Sequence, residues 1–336
     1  MKKYNVAIVG ATGAVGQELL KVLAERNFPI GELRLLASPR SAGKKMEYQG
    51  QEYTIGLTDE NAFAGMDIAL FAGGSASTTY AQAAIDAGAV VIDNSSAFRL
   101  RDDVPLVVPE VNPEDVDWHQ GIIANPNCST IIMAVALKPL HDAATIRRVV
   151  VSTYQAVSGA GKEGIEELTE QIGQVLRGEK VDPSVFAHPI AFNLIPHIDV
   201  FQEGDYTKEE WKMIKETRKI MHEPNMAITA TTVRVPVYRS HSESINIELE
   251  KKITAEEARA LFASAPGVVV LDDTMQKEYP MPLYTSDKDE VFIGRIREDL
   301  STEKGLNIWV VSDQIRKGAA TNAIQIAETL IQRNKI

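Results

Sequence analysis

Residues 4–16 read YNVAIVGATGAVG, and the fold turns on how this stretch is interpreted. A short apolar run that ends in glycine predicts a buried parallel strand. The glycine turn after it predicts entry into a helix, and residues 17–26 follow with Leu19, Leu20 and Leu23 on one helical face. Backbone N–H groups at the start of such a helix, with the helix dipole behind them, favour a pyrophosphate. Gly10, Gly13 and Gly16 let the backbone approach a ligand and let the helix approach the strand. The spacing is GxxGxxG, looser than GxGxxG, and a plain tight turn has the same composition. Its position directly after the first strand favours the nucleotide reading.

Working outward, residues 32–37 predict a second strand, followed by LLASPRSAGK at 35–44. An NAD site usually places an acidic residue there to hold the ribose hydroxyls. No carboxylate is present. Ser38, Arg40 and Ser41 are, and a guanidinium with hydroxyls suits a 2′-phosphate. NADP is therefore the expected cofactor, although an ordinary exposed arginine would look the same. Further strands are predicted at 67–72, 89–92 and 121–124, with a helix at 76–87. Alternating strands and helices indicate an α/β fold with a doubly wound, Rossmann-like parallel sheet.

From about Arg147 the texture changes. VVVSTYQAVS, ITATTVRVPVY and SINIELE are longer and rich in β-branched residues, which predicts a mixed, mostly antiparallel sheet. Helices are predicted between them at 164–177 and 208–222, giving an α+β domain. The tail, 317–333, reads as a helix that packs back on the first domain. The expected division is a cofactor domain at 1–127 completed by 317–336, and a catalytic and dimerisation domain at 128–316.

A length of 336 residues fits two domains. With 35 Lys and Arg against 46 Asp and Glu, the net charge of −11 argues against nucleic acid as a partner. No run approaches the roughly 20 apolar residues of a membrane span, and the opening MKKYNVAIVG reads as a strand and not a signal peptide. A single cysteine excludes an intrachain disulfide and fits a reducing cytoplasm. No cysteine or histidine cluster invites a metal.

That cysteine, Cys128, lies in IIANPNCSTIIMAVALKPL. The strand ends near Ala124, Pro126 sets a turn, and a helix begins close to Cys128. A lone cysteine is usually a buried small hydrophobe. At a helix N-terminus, however, the dipole and free N–H groups stabilise a thiolate, and the same groups suit an oxyanion on an attacked carbonyl. A nucleophilic thiol that does redox chemistry also needs a proton donor and acceptor. Of six histidines, His119, His141, His188, His197 and His222 sit in loops, helices or beside proline and invite an unremarkable reading. His241, in RVPVYRSHSESINIELE, lies at a strand with Arg234 and Arg239 upstream.

Taken together, GATGAVG, SPRSAG, SSAFR at 95–99, NPNCS at 125–129, QAVSGAG at 155–161, EEWK at 209–212, RVPVYRSH at 234–241 and DQIRKGAATNA at 313–323 resemble the aspartate-semialdehyde dehydrogenase family. The motifs stand in the family's order and cover nearly the whole chain. The resemblance implies that Cys128 is an acyl-thioester nucleophile, His241 the general acid/base and Gln155 the residue that orients the acyl group. It places Arg234 on the substrate α-carboxylate and Glu209 on its amino group. Arg99 and Lys212, with Asn127, would meet the phosphate. Thr12, Gly13, Ala14 and Val15 would cradle the pyrophosphate, and Ser158, Gly159 and Gln314 would sit near the nicotinamide.

The implied reaction is NADPH-dependent reduction of L-aspartyl 4-phosphate to L-aspartate 4-semialdehyde, on the way to lysine, threonine and methionine, by a homodimer or homotetramer. The nearest alternatives are an N-acetyl-γ-glutamyl-phosphate reductase or a glyceraldehyde-phosphate dehydrogenase; a non-catalytic NADP-binding regulator is the alternative of another class. Each role has a plainer reading. Glu209 and Lys212 have the spacing of a helix-surface pair. Arg234 and His241 are seven positions apart, so on one unbroken strand they would face opposite sides, and a bend near Pro236 or Arg239 is required to bring them together.

Overall fold

The computed structural model describes residues 2–336. The chain divides into two compact units, one running to Asn127 and resuming over Gly318–Ile336, the other Cys128–Lys317. No described helix is long and apolar enough to cross a membrane.

In the first unit, β1 (Tyr4–Val9) leads through the glycine turn into α1 (Ala14–Glu25) and returns as β2 (Ile30–Ala37). A hairpin of β3 (Lys45–Tyr48) and β4 (Gln51–Thr54) then interrupts the alternation before β5 (Gly56–Leu57). The hairpin strands are largely exposed, so no apolar alternation in the sequence marks them. The pattern resumes with β6 (Ile68–Phe71), α2 (Ser75–Asp86), β7 (Val90–Asp93) and β8 (Ile122–Ala124). The sheet order is β5-β2-β1-β6-β7-β8, with every pairing parallel. The order reverses between β1 and β6, which is where such sheets bind ligands. Val6, Ile8, Leu19, Leu23 and Ile92 share one buried core with Ala323, Ile324 and Leu330 of α8 (Thr321–Gln332), the last helix of the chain. A fully buried leucine contributes about 1.5–3 kcal/mol to such a core.

The second unit opens on α3 (Cys128–Ala144), followed by β9 (Ile146–Gln155), α4 (Lys162–Leu176), α5 (Lys208–Ile220), β10 (Ala227–Arg234) and β11 (His241–Leu249). It closes with α6 (Ala255–Ser264), β12 (Val268–Val270), α7 (Pro282–Thr285), β13 (Val291–Glu298) and β14 (Gly305–Ser312). The sheet order is β10-β9-β11-β14-β13-β12. Its central pairings are antiparallel, but β10 runs parallel to β9 and β12 parallel to β13, so the sheet is mixed. On β9 the odd positions 149–155 are buried and the even positions 148–154 are not, the period of a half-covered strand. Helix α3 packs against β9, β11, β13 and β14.

Glu243 stands out on the buried side of β11, two residues after His241 and paired across the ladder with Thr153 and Val310. It is completely buried, and neither carboxylate oxygen has a hydrogen-bond partner among the described residues. Burial pushes its pKa well above the ordinary carboxylate value. Burial therefore favours the neutral form in the folded protein, while the unfolded chain ionises it near its ordinary pKa. Its raised folded pKa makes stability greatest below that unfolded pKa, and stability declines as pH rises. Glu243→Gln removes this dependence. We expect its melting temperature to exceed the parent's by a few degrees at pH 8, with the two converging near pH 5. Parallel melting curves across that range would mean that Glu243 is already ionised and paired.

Candidate active site

The second unit brings several of its candidate side chains together at the carboxyl end of β9. Gln155 is the last residue of that strand, and Arg234, the last of β10, is its direct partner. On the other side of β9, Ser242 pairs with Tyr154, which sets His241 beside Gln155. The strand that the sequence suggested would have to bend is instead divided. β10 ends at Arg234, β11 begins at His241, and residues 235–240 cross the end of β9, with Ser240 at φ +71°. The face problem disappears because the two side chains flank Gln155 from two different strands.

Ala156 orients both. Its N–H donates to His241 Nδ1 at 3.1 Å, and its carbonyl accepts from Arg234 Nη1 at 2.7 Å. An Nδ1 that accepts a hydrogen bond leaves the neutral ring's hydrogen on Nε2. Burial, helped by the nearby Arg234 charge, lowers the His241 pKa to about 3, against a smaller opposing effect of Glu209. The ring is therefore neutral at physiological pH and presents Nε2–H as a donor. That hydrogen faces Gln155 Nε2 at 3.5 Å. Two donors cannot satisfy each other, but both can point at one oxygen placed between them.

Gln155 is held by its remaining contacts: Oε1 accepts from the Thr153 hydroxyl at 2.9 Å, and Nε2 donates to Glu209 Oε1 at 3.2 Å. Glu209 reaches this point because the start of α5 is fixed. Thr207 and Glu210 form a reciprocal capping box, and Glu210 also accepts from the Thr232 N–H of β10 at 2.9 Å. Glu209 and Lys212 are thus not a solvated pair. Glu209 is 5% exposed, and its Oε2 accepts from Lys212 Nζ at 3.0 Å.

Arg234 is nine-tenths buried, with Phe186 beneath its guanidinium. Burial lowers its pKa, while Glu209 and Cys128 act to raise it. The sulfur of Cys128, at the first position of α3, thus lies within electrostatic reach of the cluster. The first backbone N–H groups of a helix have no partner inside it, and Cys128 sits among them. Gly159 lies close against both Arg234 and His241. A Cβ added there would stand 2.7 Å from Arg234 Nη1 and 3.3 Å from His241 Cε1. Gln314 is pinned between the Ser240 N–H (2.9 Å) and the Ser158 hydroxyl (2.5 Å).

Residues the sequence did not single out also line this region. Phe186, His197 and Asp199 join Arg234 around a cleft of about 450 Å³. His197 stacks on Phe201 with centroids 4.4 Å apart. An isolated bridge between Ile195 and Arg234 brings this loop to the site. Residues 178–207 carry no periodic pattern; the Thr207-x-x-Glu210 capping box was the one local signal available there.

The remaining candidates lie in the first unit. Gly10 adopts φ +84°, and Gly13 and Ala14 are exposed at the start of α1, where no side chain caps the helix. A Cβ on Gly16 would fall 2.2 Å from the Gly10 carbonyl oxygen, so only glycine permits this turn. An open, uncapped helix start behind a glycine turn fits a pyrophosphate. At the end of β2, Arg40 is exposed, and the Ser41 N–H donates to the Ser38 carbonyl at 2.9 Å. Arg99 is buried; its guanidinium donates to the Asn125 carbonyl at 2.9 Å and the Asn94 carbonyl at 2.8 Å, just beyond β8 and β7. Asn127 is buried at the end of this unit.

Comparison with known proteins agrees with this layout. Residues 5–119 match the family described as semialdehyde dehydrogenase, NAD binding domain, and residues 137–317 match semialdehyde dehydrogenase, dimerisation domain. The aspartate-semialdehyde dehydrogenase of Aquifex aeolicus is 60% identical over 99% of both chains. The crystal structure of aspartate semialdehyde dehydrogenase II from Vibrio cholerae, complexed with ASA, superposes with a TM-score of 0.96 at 48% identity over 99% of both chains. That of the Candida albicans aspartate semialdehyde dehydrogenase with NADP gives 0.78 at 26% identity over the full length of both. With identity of this extent across both units, the chain belongs to the aspartate-semialdehyde dehydrogenase family.

Proposed function

We propose that the protein interconverts L-aspartyl 4-phosphate and L-aspartate 4-semialdehyde, with NADP, through a thioester on Cys128. The observation that carries this reading is the convergence of Gln155, Arg234 and His241 at the end of β9, within electrostatic reach of the chain's single cysteine.

The thiolate of Cys128 attacks the acyl phosphate carbon, a C–S bond forms, and the C–O bond to phosphate breaks. Backbone N–H groups at the start of α3 hold the oxyanion. Arg234 takes the α-carboxylate and Glu209 the amino group, while Lys212 meets the phosphate. Arg99 and Asn127 are assigned to that phosphate on the strength of the motif match. The thioester accepts hydride more readily than a carboxylate would, because covalent catalysis divides one hard step in two. When bound, the dinucleotide supplies that hydride. Gly10, Thr12, Gly13, Ala14, Val15 and Gly16 would hold its pyrophosphate, with Ser38, Arg40 and Ser41 on a 2′-phosphate and Ser158, Gly159 and Gln314 toward the nicotinamide. His241 meets the resulting alkoxide with Nε2–H and stabilises it as a hydrogen-bond donor; transfer of a proton from this neutral ring would leave an imidazolate, so the general acid/base role needs the ring protonated first. Collapse of the thiohemiacetal alkoxide re-forms the carbonyl, breaks the C–S bond, releases the aldehyde and restores the thiolate.

We further infer a cytoplasmic enzyme of the branch leading from aspartate to lysine, threonine and methionine. It would assemble as a homodimer or dimer of dimers through the outward face of the second unit's sheet. The matched dimerisation domain supports this, as does an accessible Tyr154–Trp309 pair on that face, with rings 5.4 Å apart.

The test is phosphate-dependent reduction of NADP by L-aspartate 4-semialdehyde, followed by the absorbance of the reduced nicotinamide. Turnover should require phosphate and be faster with NADP than with NAD. No turnover in a protein that binds NADP, with turnover on N-acetyl-glutamate semialdehyde instead, would reject the substrate.

A further inference from the structure

Lys212 is held twice. Its ammonium donates to Glu209 Oε2 at 3.0 Å and to Asp199 Oδ2 at 2.9 Å. Two carboxylates against one ammonium leave the trio with one net negative charge. An ammonium has three donors, so one remains for an incoming ligand. An incoming phosphate thus meets a lysine whose charge is already more than balanced. Glu209 and Lys212 are three residues apart on one helix, so Glu209 keeps Lys212 in place whatever Asp199 does.

Asp199 belongs to a different element, and its placement is specific. It sits at φ +67°, a conformation that aspartate and asparagine tolerate better than most residues. Its Oδ1 accepts from the Val200 N–H at 2.9 Å, which aims Oδ2 at Lys212. The Ile195–Arg234 bridge four residues earlier ties this loop to β10, and Asp199 lines the same cleft as Arg234. Burial disfavours the charges of both partners, but their mutual attraction, with Glu209 acting on Lys212, outweighs it: Asp199 stays below its ordinary pKa and Lys212 above its own.

We propose that Asp199 is a positioning residue that competes with phosphate for Lys212, and so sets how tightly the anion is held and how readily it leaves. This rests on the reading of Lys212 as a phosphate ligand. An acyl-phosphate reductase must release inorganic phosphate in every biosynthetic turnover, and a carboxylate that reclaims the lysine favours that release.

The test is Asp199→Asn in the full chain, assayed in the oxidative direction with NADP, saturating aldehyde and varied inorganic phosphate. Asparagine keeps the left-handed backbone and the acceptor for Val200 N–H while removing the charge. The phosphate KM is expected to fall about fivefold, the scale of one partly exposed ion pair, with the aldehyde KM changed less than about twofold. Damage to the fold does not tighten a ligand, so a fall is diagnostic. Asp199→Gly, which also tolerates this backbone, should shift the phosphate KM in the same direction. A phosphate KM that stays level or rises in both variants overturns the proposal, and so does a rise confined to the aldehyde KM, which would put Asp199 on the substrate amino group. Lys212→Ala measured alongside separates the two layers. If its phosphate KM is unchanged, the assignment of Lys212 itself fails. If that KM rises while the Asp199 variants show no fall, only the present inference fails.

Discussion

Cys128→Ala is expected to lower kcat by on the order of 10⁴-fold or more, while NADP still binds. The magnitude follows from the role. Without sulfur there is no thioester, and the remaining groups can only orient an acyl phosphate that has nothing to attack it. Phosphate-dependent NADP reduction measures the loss. Quenching of protein fluorescence by NADPH measures the retained binding, since the glycine turn belongs to the other compact unit. Alanine is a better helix former than cysteine at the first position of α3, so the helix should persist, and circular dichroism would confirm it. Residual turnover above about a hundredth of the parent rate would exclude a covalent intermediate at this position. In the parent, iodoacetamide should abolish activity, and the inactive protein should still bind NADPH.

Arg234→Lys should carry the next largest penalty, about 2 kcal/mol or roughly 30-fold in kcat/KM, seen mainly as a raised aldehyde KM. A guanidinium can hold a carboxylate with two parallel N–H groups and still spend Nη1 on the Ala156 carbonyl. An ammonium at the end of a shorter lever cannot do both. The positive charge survives, so the loss isolates bidentate geometry from charge. If lysine performs as well as arginine, Arg234 serves only to fix Ala156, and the α-carboxylate is bound elsewhere.

The parts of the molecule legible in the sequence are those where local pattern and tertiary role coincide. YNVAIVG is apolar because β1 is covered on both faces, and after it Gly10 is required by its φ of +84° and Gly16 by the 2.2 Å approach to the Gly10 carbonyl. β9 was readable as a strand from its β-branched residues, but its half-covered period was not, because its buried positions include Thr153 and Gln155 and an exposed one is Tyr154. The hairpin of β3 and β4 was not, because its side chains are mostly exposed and carry no period. Arg234 and His241 were found as residue types, but their relation was not. A strand period says which face a side chain takes, and nothing in RVPVYRSH says that the chain leaves one side of β9 and rejoins on the other. His197 drew an unremarkable reading and Asp199 none for a related reason: they lie in a segment without regular structure, brought to the cleft by contacts such as the Ile195–Arg234 bridge. Glu243 stands in phase with Ile245 and Ile247 on the buried side of its strand, a carboxylate where the period calls for an apolar residue.

The closing of the first unit's core by α8 has a consequence for biosynthesis of the chain itself. Val6, Leu19 and Leu23 are translated before the whole of the second unit, and Ala323, Ile324 and Leu330, which complete their core, only after it. Domains usually fold as they emerge, N-terminal first. Here the nascent amino-terminal sheet must wait with an unfinished apolar face while Cys128–Lys317 is synthesised and folds. A chain truncated before Gly318 should therefore be a better client for holdase chaperones, and an easier target for proteolysis, than one released with residues 318–336 in place.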